Sequence, residues 1–269
     1  MEKKEVQCKS ILNSSKLPAS KYSINPYIGC QHGCVYCYAR FMKRYTQHKS
    51  EWGQFVDIKI NSPSILSKQL ASSSKSYQGT IFFSSVTDAY QPLEQKYRIT
   101  QELLRILLLY QLEISILTKS NGIIRDVNLL SQFKSCSIGV SITSLDETFR
   151  KWFEPHASPI KKRIDTLRVL HENGIETYVF IGPIFPLFTD IPQIIEKIKD
   201  YTDFVMAESL NYSCGNWLPI RKTFQKYYPN KLDQFQNIIK NPETWHEYEI
   251  NIRDECQKYG IDFQGYFDH

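Results

Sequence analysis

Short apolar runs rich in β-branched and aromatic residues alternate with helix-period stretches through most of this chain. Residues 80–84 (TIFFS), 113–118 (EISILT), 137–143 (SIGVSIT), 176–181 and 203–208 (DFVMAE) have the length and make-up of buried strands. Between them, 93–110, 127–133, 146–153, 160–172 and 191–200 carry helical spacing, with Asn173-Gly174 as a stop signal. Upstream, 22–28 predicts a short strand running into the Gly29-Cys30 turn, and 34–44 predicts a helix. Strict alternation over 55–60 predicts a further strand, and Asn61-Ser-Pro63 opens a helix to Leu70.

Strand–helix alternation of this kind predicts a parallel sheet wrapped by helices. Six main strands, near residues 24, 81, 115, 139, 178 and 205, occupy about 185 residues, whereas a closed eight-strand barrel typically needs about 250. The expected fold is therefore α/β, a partial (βα)6 TIM-type barrel with an N-terminal extension and a helical C-terminal tail. The expected divisions are a leader over 1–20, the barrel over 21–211, and a helical extension over 212–269 packed on it. Chemistry in such barrels sits at the C-terminal ends of the strands.

Composition places limits on this reading. With 269 residues, 42% hydrophobic and 23% charged, the chain can bury a sizeable core. No run approaches the roughly 18 apolar residues of a membrane span. The opening MEKKEVQCKS lacks the apolar stretch of a signal peptide. The expectation is a cytoplasmic protein without a membrane association, whose thiols stay reduced. The net charge of +5 is uneven: residues 1–60 carry +6 and the remainder about −1. Arg40, Lys43, Arg44 and Lys49 alternate there with Phe41, Tyr45 and Trp52. That mixture suits phosphates and stacked bases, or equally an amphipathic segment with a wet face.

Three of the seven cysteines fall within Asn25-Pro-Tyr-Ile-Gly-Cys30-Gln-His-Gly-Cys34-Val-Tyr-Cys37-Tyr-Ala-Arg40. A structural zinc site wants four closed ligands, and the nearest fourth candidates, His32 and Cys8, fall at no usual finger spacing. An iron–sulfur cube held by three thiolates keeps one iron open. Both readings stand on the residues alone. Ser85, Thr87 and Asp88 follow the strand at 80–84, and Asp88 can cap the helix that comes next.

The Cys30–Cys34–Cys37 spacing, with Tyr36 before the last cysteine, resembles the signature of radical S-adenosylmethionine (SAM) enzymes. Asn25-Pro-Tyr, Cys37-Tyr-Ala-Arg40, Thr87-Asp88-Ala-Tyr-Gln-Pro-Leu-Glu94, Leu117-Thr-Lys119-Ser120 and Glu154-Pro-His-Ala-Ser-Pro-Ile-Lys-Lys-Arg163 resemble its spore photoproduct lyase-like branch, over residues 20–212. The leader and residues 41–56 also resemble a subgroup encoded beside a second radical SAM protein on mobile elements.

This resemblance implies a [4Fe–4S] cluster on Cys30, Cys34 and Cys37 that reductively cleaves SAM, giving a 5′-deoxyadenosyl radical. It also implies cofactor contacts from Tyr36, Tyr38, Thr87, Asp88, Lys119, Ser141, Arg163 and Gly182. For Arg163 the competing reading is a solvated helix face. One departure stands out. Photoproduct lyases place a hydrogen-donating cysteine where this chain has Ser85, and a serine O–H is too strong to quench a carbon radical as a thiol does. Cys214 and Tyr212 are the alternative donor and relay, with an inert buried cysteine as the other reading of Cys214. The implied substrate is nucleic acid or nucleotide-like, the alternative a peptide, protein or small metabolite. The implied partners are an electron donor such as flavodoxin or ferredoxin and a second radical SAM protein. A zinc-stabilised binding module is the non-enzymatic reading.

Overall fold

Strands whose side chains are apolar on both faces need cover on both faces, and a parallel sheet flanked by helices provides it. The computed structural model describes residues 1–18, 20–72 and 77–269. In chain order the strands are β1 (Glu2–Val6), β2 (Leu12–Ser14), β3 (Tyr22–Ile24), β4 (Tyr27–Ile28), β5 (Phe55–Lys59), β6 (Ile81–Phe83), β7 (Ile114–Thr118), β8 (Cys136–Ser141), β9 (Glu176–Ile181), β10 (Phe204–Glu208) and β11 (Asp262–Phe267). The main sheet has the order β11-β10-β9-β8-β7-β6-β3-β2. Its six inner strands are the six expected from the sequence, all parallel to one another, and β2 adds an antiparallel edge beside β3. This is the partial barrel.

Helices α1 (Ser62–Ser72), α2 (Glu94–Tyr97), α3 (Ile99–Leu109), α4 (Val127–Leu130), α5 (Glu147–Phe153), α6 (Ile160–Glu172) and α7 (Ile191–Ile198) fill the crossovers. Beyond β10 come α8 (Trp217–Tyr227), α9 (Leu232–Ile239) and α10 (Pro242–Tyr259). One buried cluster lies under β2, β3, β6, β7, α1 and α3, and a second runs from β8–β10 to the last three helices. No helix among the described residues is long and apolar enough to cross a membrane.

The sequence reading needs correction in four places. The strand expected over 22–28 is two strands in two sheets, because Pro26 lacks the N–H a continuous ladder would use. β3 stays in the barrel, while β4 turns aside to pair with β5. The strand at 55–60 therefore belongs to a separate three-stranded sheet, β1-β5-β4. Residues read as part of a leader supply β1, which pairs along all of β5. The helix expected from Cys34 is a 3-10 segment, Tyr38–Tyr45, preceded by Cys37 in an extended conformation. The Arg40 guanidinium donates to the carbonyls of Val35 and Cys37, taking acceptors a longer helix would use. Finally, the tail ends in β11, a parallel strand on β10; Gly265 and a register shift at Val205/Met206 break the alternation that would have revealed it.

The small sheet backs the cysteine loop at glycine contacts. Gly29 has φ +88, and a Cβ there would stand 2.4 Å from the Phe55 carbonyl oxygen. Gly53 has φ +91, and its Cβ would meet the Gly33 Cα at 2.7 Å. Gly215 also has a left-handed φ, +81, but with open space around it. Alanine at 53 should therefore cost about 1–3 kcal/mol more than alanine at 215, because overpacking adds to the shared backbone strain. Chemical denaturation of the two variants measures the difference; equal losses would contradict the close approach.

Candidate functional site

Because the six inner strands run parallel, their following loops gather at one end of the sheet. The cysteine loop leaves β3 and β4 there. Its sulfurs lie inside: Cys30 and Cys34 are buried and Cys37 is partly covered. Burial, then the nearby Asp88 charge, pushes the Cys30 thiol well up. Burial, then Glu154, does the same to Cys34. Burial lifts Cys37 to about 11, opposed by an Ala39 backbone hydrogen bond, Lys119 and Arg40. Thiols so placed stay protonated unless a cationic centre takes their negative charge.

The loop is held by groups other than its cysteines. From the loop after β6, Thr87 Oγ1 donates to the Gly29 carbonyl at 2.6 Å, and the Gln31 N–H donates to Gln91 Oε1 at 2.9 Å. From the end of α5, the Val35 N–H reaches the Phe153 carbonyl at 2.8 Å. From the tail, Asn216 Nδ2 donates to the Tyr36 carbonyl at 2.6 Å and to the Asn211 carbonyl at 2.7 Å. Asn216 is fully buried.

Beneath the loop lies a closed ion pair. Glu154 and Arg163 are bonded to each other and almost fully excluded from solvent. Tyr36 donates its hydroxyl to Glu154 Oε1, and Thr143 Oγ1 sits 3.3 Å from the same oxygen while donating to the Gly182 carbonyl at 2.9 Å. Arg163 also donates to the carbonyls of Ser141 at 3.0 Å and Ser158 at 2.8 Å. Burial alone would raise the Glu154 carboxyl; Arg163, Lys119 and Tyr36 outweigh it and hold it at about 2.

Asp88 forms the matching anchor under the next loop. Its carboxylate accepts from Tyr90 N at 2.8 Å, Thr118 Oγ1 at 2.8 Å and Lys119 N at 2.9 Å, and His32 Nδ1 lies 3.3 Å away. Burial opposes its charge, but His32 and these donors keep it at about 2.

The expected site residues can now be placed. Tyr36, Thr87, Asp88, Lys119, Ser141, Arg163 and Gly182 all lie at this end of the sheet, near the cysteines. Tyr36, Thr87 and Asp88 spend their polar groups on the protein. The Lys119 ammonium lies 5.7 Å over the Tyr36 ring. Tyr38 is 42% exposed, its hydroxyl on the Ser85 carbonyl. The solvated face considered for Arg163 is corrected: its relative exposure is 0%, because Glu154 needs a partner wherever it is buried. At Gly182 a Cβ would fall 2.3 Å from the Phe180 ring and 2.9 Å from Glu208, so any larger residue there would displace one of those side chains. Cys214 is half-buried with its Sγ 3.4 Å from the Asn211 carbonyl. Tyr212 packs edge-on to Trp217, 6.2 Å between centroids. Cys136 opens β8 at the opposite end. Glu154 and Asn216 carried no assigned role in the sequence reading, since neither forms part of a periodic pattern.

The donor set suits a cluster. Among the described residues, no three His, Cys, Asp or Glu side chains converge as ligands of a single metal ion. A cube's three thiolates each bind a different iron.

Replacing Glu154 by Gln should strand Arg163 and cost roughly 3–5 kcal/mol. Its lowered pKa also fixes a sign. Stability from ionised Glu154 is fully present above the ordinary value of 4.5 and is lost as pH falls toward about 2. The wild type should lose stability across that window more steeply than Glu154→Gln. Parallel slopes in denaturation titrations would remove Glu154 as the cause.

The family model for the radical SAM superfamily matches residues 24–202, covering all three loop cysteines and running from the last residue of β3 to just past α7. An uncharacterised protein of Methanocaldococcus jannaschii is 35% identical over 261 residues, spanning 97% of this chain and 95% of that one. A radical SAM Nα-GlyT isomerase of Pseudomonas phage M6 is 23% identical over 222 residues, 80% of this chain and 45% of its own. Among solved structures, a spore photoproduct lyase variant with bound SAM and a dinucleoside spore photoproduct superposes with a TM-score of 0.72 at 14% identity, covering 98% of this chain and 80% of that one. Fold, cysteine loop and family model agree: this chain belongs to the radical SAM superfamily of enzymes.

Proposed function

We propose that Cys30, Cys34 and Cys37 bind a [4Fe–4S] cluster, and that the protein uses it with SAM to abstract hydrogen from a nucleic-acid or nucleotide-like substrate. The observation that carries this reading is the clamped loop with two buried thiols and a third partly covered at the strand ends, within the segment matched to the family. When bound, the cluster supplies the electron that cleaves SAM to methionine and a 5′-deoxyadenosyl radical. The protein's own groups do the rest. The Lys119 ammonium, among the charges nearest Cys34 and Cys37, is placed to attract the SAM carboxylate. Gly182 keeps a flat wall at the end of β9 for the adenine. Cys214, half-buried in the loop after β10, is the thiol that returns hydrogen to a substrate radical. The electron comes from an external flavodoxin or ferredoxin.

The substrate class rests on the 3-10 segment beside Cys37. Tyr38 and Tyr45 are 42% and 67% exposed, and the Arg44 guanidinium lies 5.2 Å over Phe41 and 5.5 Å over Tyr45. Exposed rings with a cation form a stacking surface for bases. The resemblance to a photoproduct lyase holding a dinucleoside agrees in kind.

Single replacement of Cys30, Cys34 or Cys37 by alanine should abolish 5′-deoxyadenosine formation from SAM under reducing, anaerobic conditions; turnover retained in all three would end the proposal. Binding to single-stranded DNA should weaken steeply between 50 and 200 mM salt. Arg44→Ala with Tyr45→Ala should weaken it roughly tenfold or more. Salt-independent binding, or an undiminished double variant, would reject the nucleic-acid surface.

A further inference from the structure

Behind the cysteine loop lies an indole whose N–H has no acceptor. Trp52 is 9% exposed, which removes it from the stacking surface its sequence position suggested. It shares one small buried cluster with Cys30, Ala39 and Phe55, and Cys37, Met42 and Val86 pack against that cluster. The Phe55 ring meets it edge-on, 6.0 Å between centroids. The next residue, Gly53, touches Gly33, the glycine between Cys30 and Cys34, so closely that a Cβ on Gly53 would be 2.7 Å from the Gly33 Cα. Trp52 is thus tied to the cysteine loop by backbone contact as well as by packing.

Its Nε1 is buried without a hydrogen-bond partner among the described residues. Burying an unpaired donor is costly, and a phenylalanine would fill apolar space without that cost. Indole offers a donor only. The hydrophobic side chains of its cluster include Cys30 and Cys37, whose sulfurs are poor acceptors as thiols. As iron-bound thiolates they carry negative charge and accept well. Hydrogen bonds to cluster sulfurs are one of the means by which a protein sets an iron–sulfur reduction potential.

We infer that the Trp52 indole N–H donates to a thiolate sulfur of the cluster, that of Cys30 or Cys37, making Trp52 a positioning residue that raises the cluster's reduction potential. The bond favours the reduced cluster because that state carries one more negative charge. This inference rests on the cluster proposed above.

The test compares wild type with Trp52→Phe after anaerobic reconstitution. Wild-type protein that takes up no iron–sulfur cluster would refute the cluster itself. With the cluster present in both, spectroelectrochemical titration should show the variant harder to reduce by about tenfold in equilibrium constant, or about 59 mV for one electron. An unmoved potential overturns the inference. Wild-type protein carrying tryptophan labelled with 15N at the indole nitrogen gives a second measurement that needs no variant. Its reduced cluster should show a 15N hyperfine coupling, and absence of that coupling overturns the inference as well.

Discussion

Glu154 lies under the cysteine loop with almost no access to water, and a carboxylate there is stable only if its charge is answered on the spot. Arg163 answers it from the first turns of α6, and the remaining donors of that guanidinium hold the carbonyls of Ser141 and Ser158. Tyr36, one of the two residues between Cys34 and Cys37, ties the loop to the same carboxylate. A single buried charge thereby fixes three things relative to one another: the end of β8, the turn before α6, and the middle of the cysteine loop. Breaking such a pair by removing one member is far more damaging than never having built it.

The consequence for the thiols is a division of labour. Thr87, Gln91, Phe153 and Asn216 hold the loop's backbone, so the cysteine sulfurs are not needed for its shape. Burial keeps those thiols protonated. A cluster would take them as thiolates, so its binding is coupled to their deprotonation. Asp88 and His32 extend the frame to β6 and β7, so the loop is braced from most of the strands that end near it.

Much of this was legible from the residues. The six parallel strands announce themselves by apolar runs bounded by turn signals, because burial on both faces leaves few polar positions. The cysteine triad is visible in its spacing alone. What stayed hidden depends on distant partners. The small β1-β5-β4 sheet cannot be read from 55–59, since alternation does not say which sheet a strand joins. β11 is masked by Gly265 and a bulge. Arg163 looks like a surface residue in Lys161-Lys-Arg163 until Glu154, nine positions earlier in the chain, is brought against it. Trp52 reads as part of a basic, aromatic surface, and only the contact of Gly53 with Gly33 turns it inward.

The central claim is that three cysteines hold a four-iron cluster with one iron left open to SAM. Mössbauer spectroscopy of 57Fe-reconstituted protein, with and without SAM, addresses it most directly. The account expects about four irons per chain and, on adding SAM, a change confined to one iron site. A colourless protein with stoichiometric zinc, or a four-iron cluster whose sites are all indifferent to SAM, would contradict it.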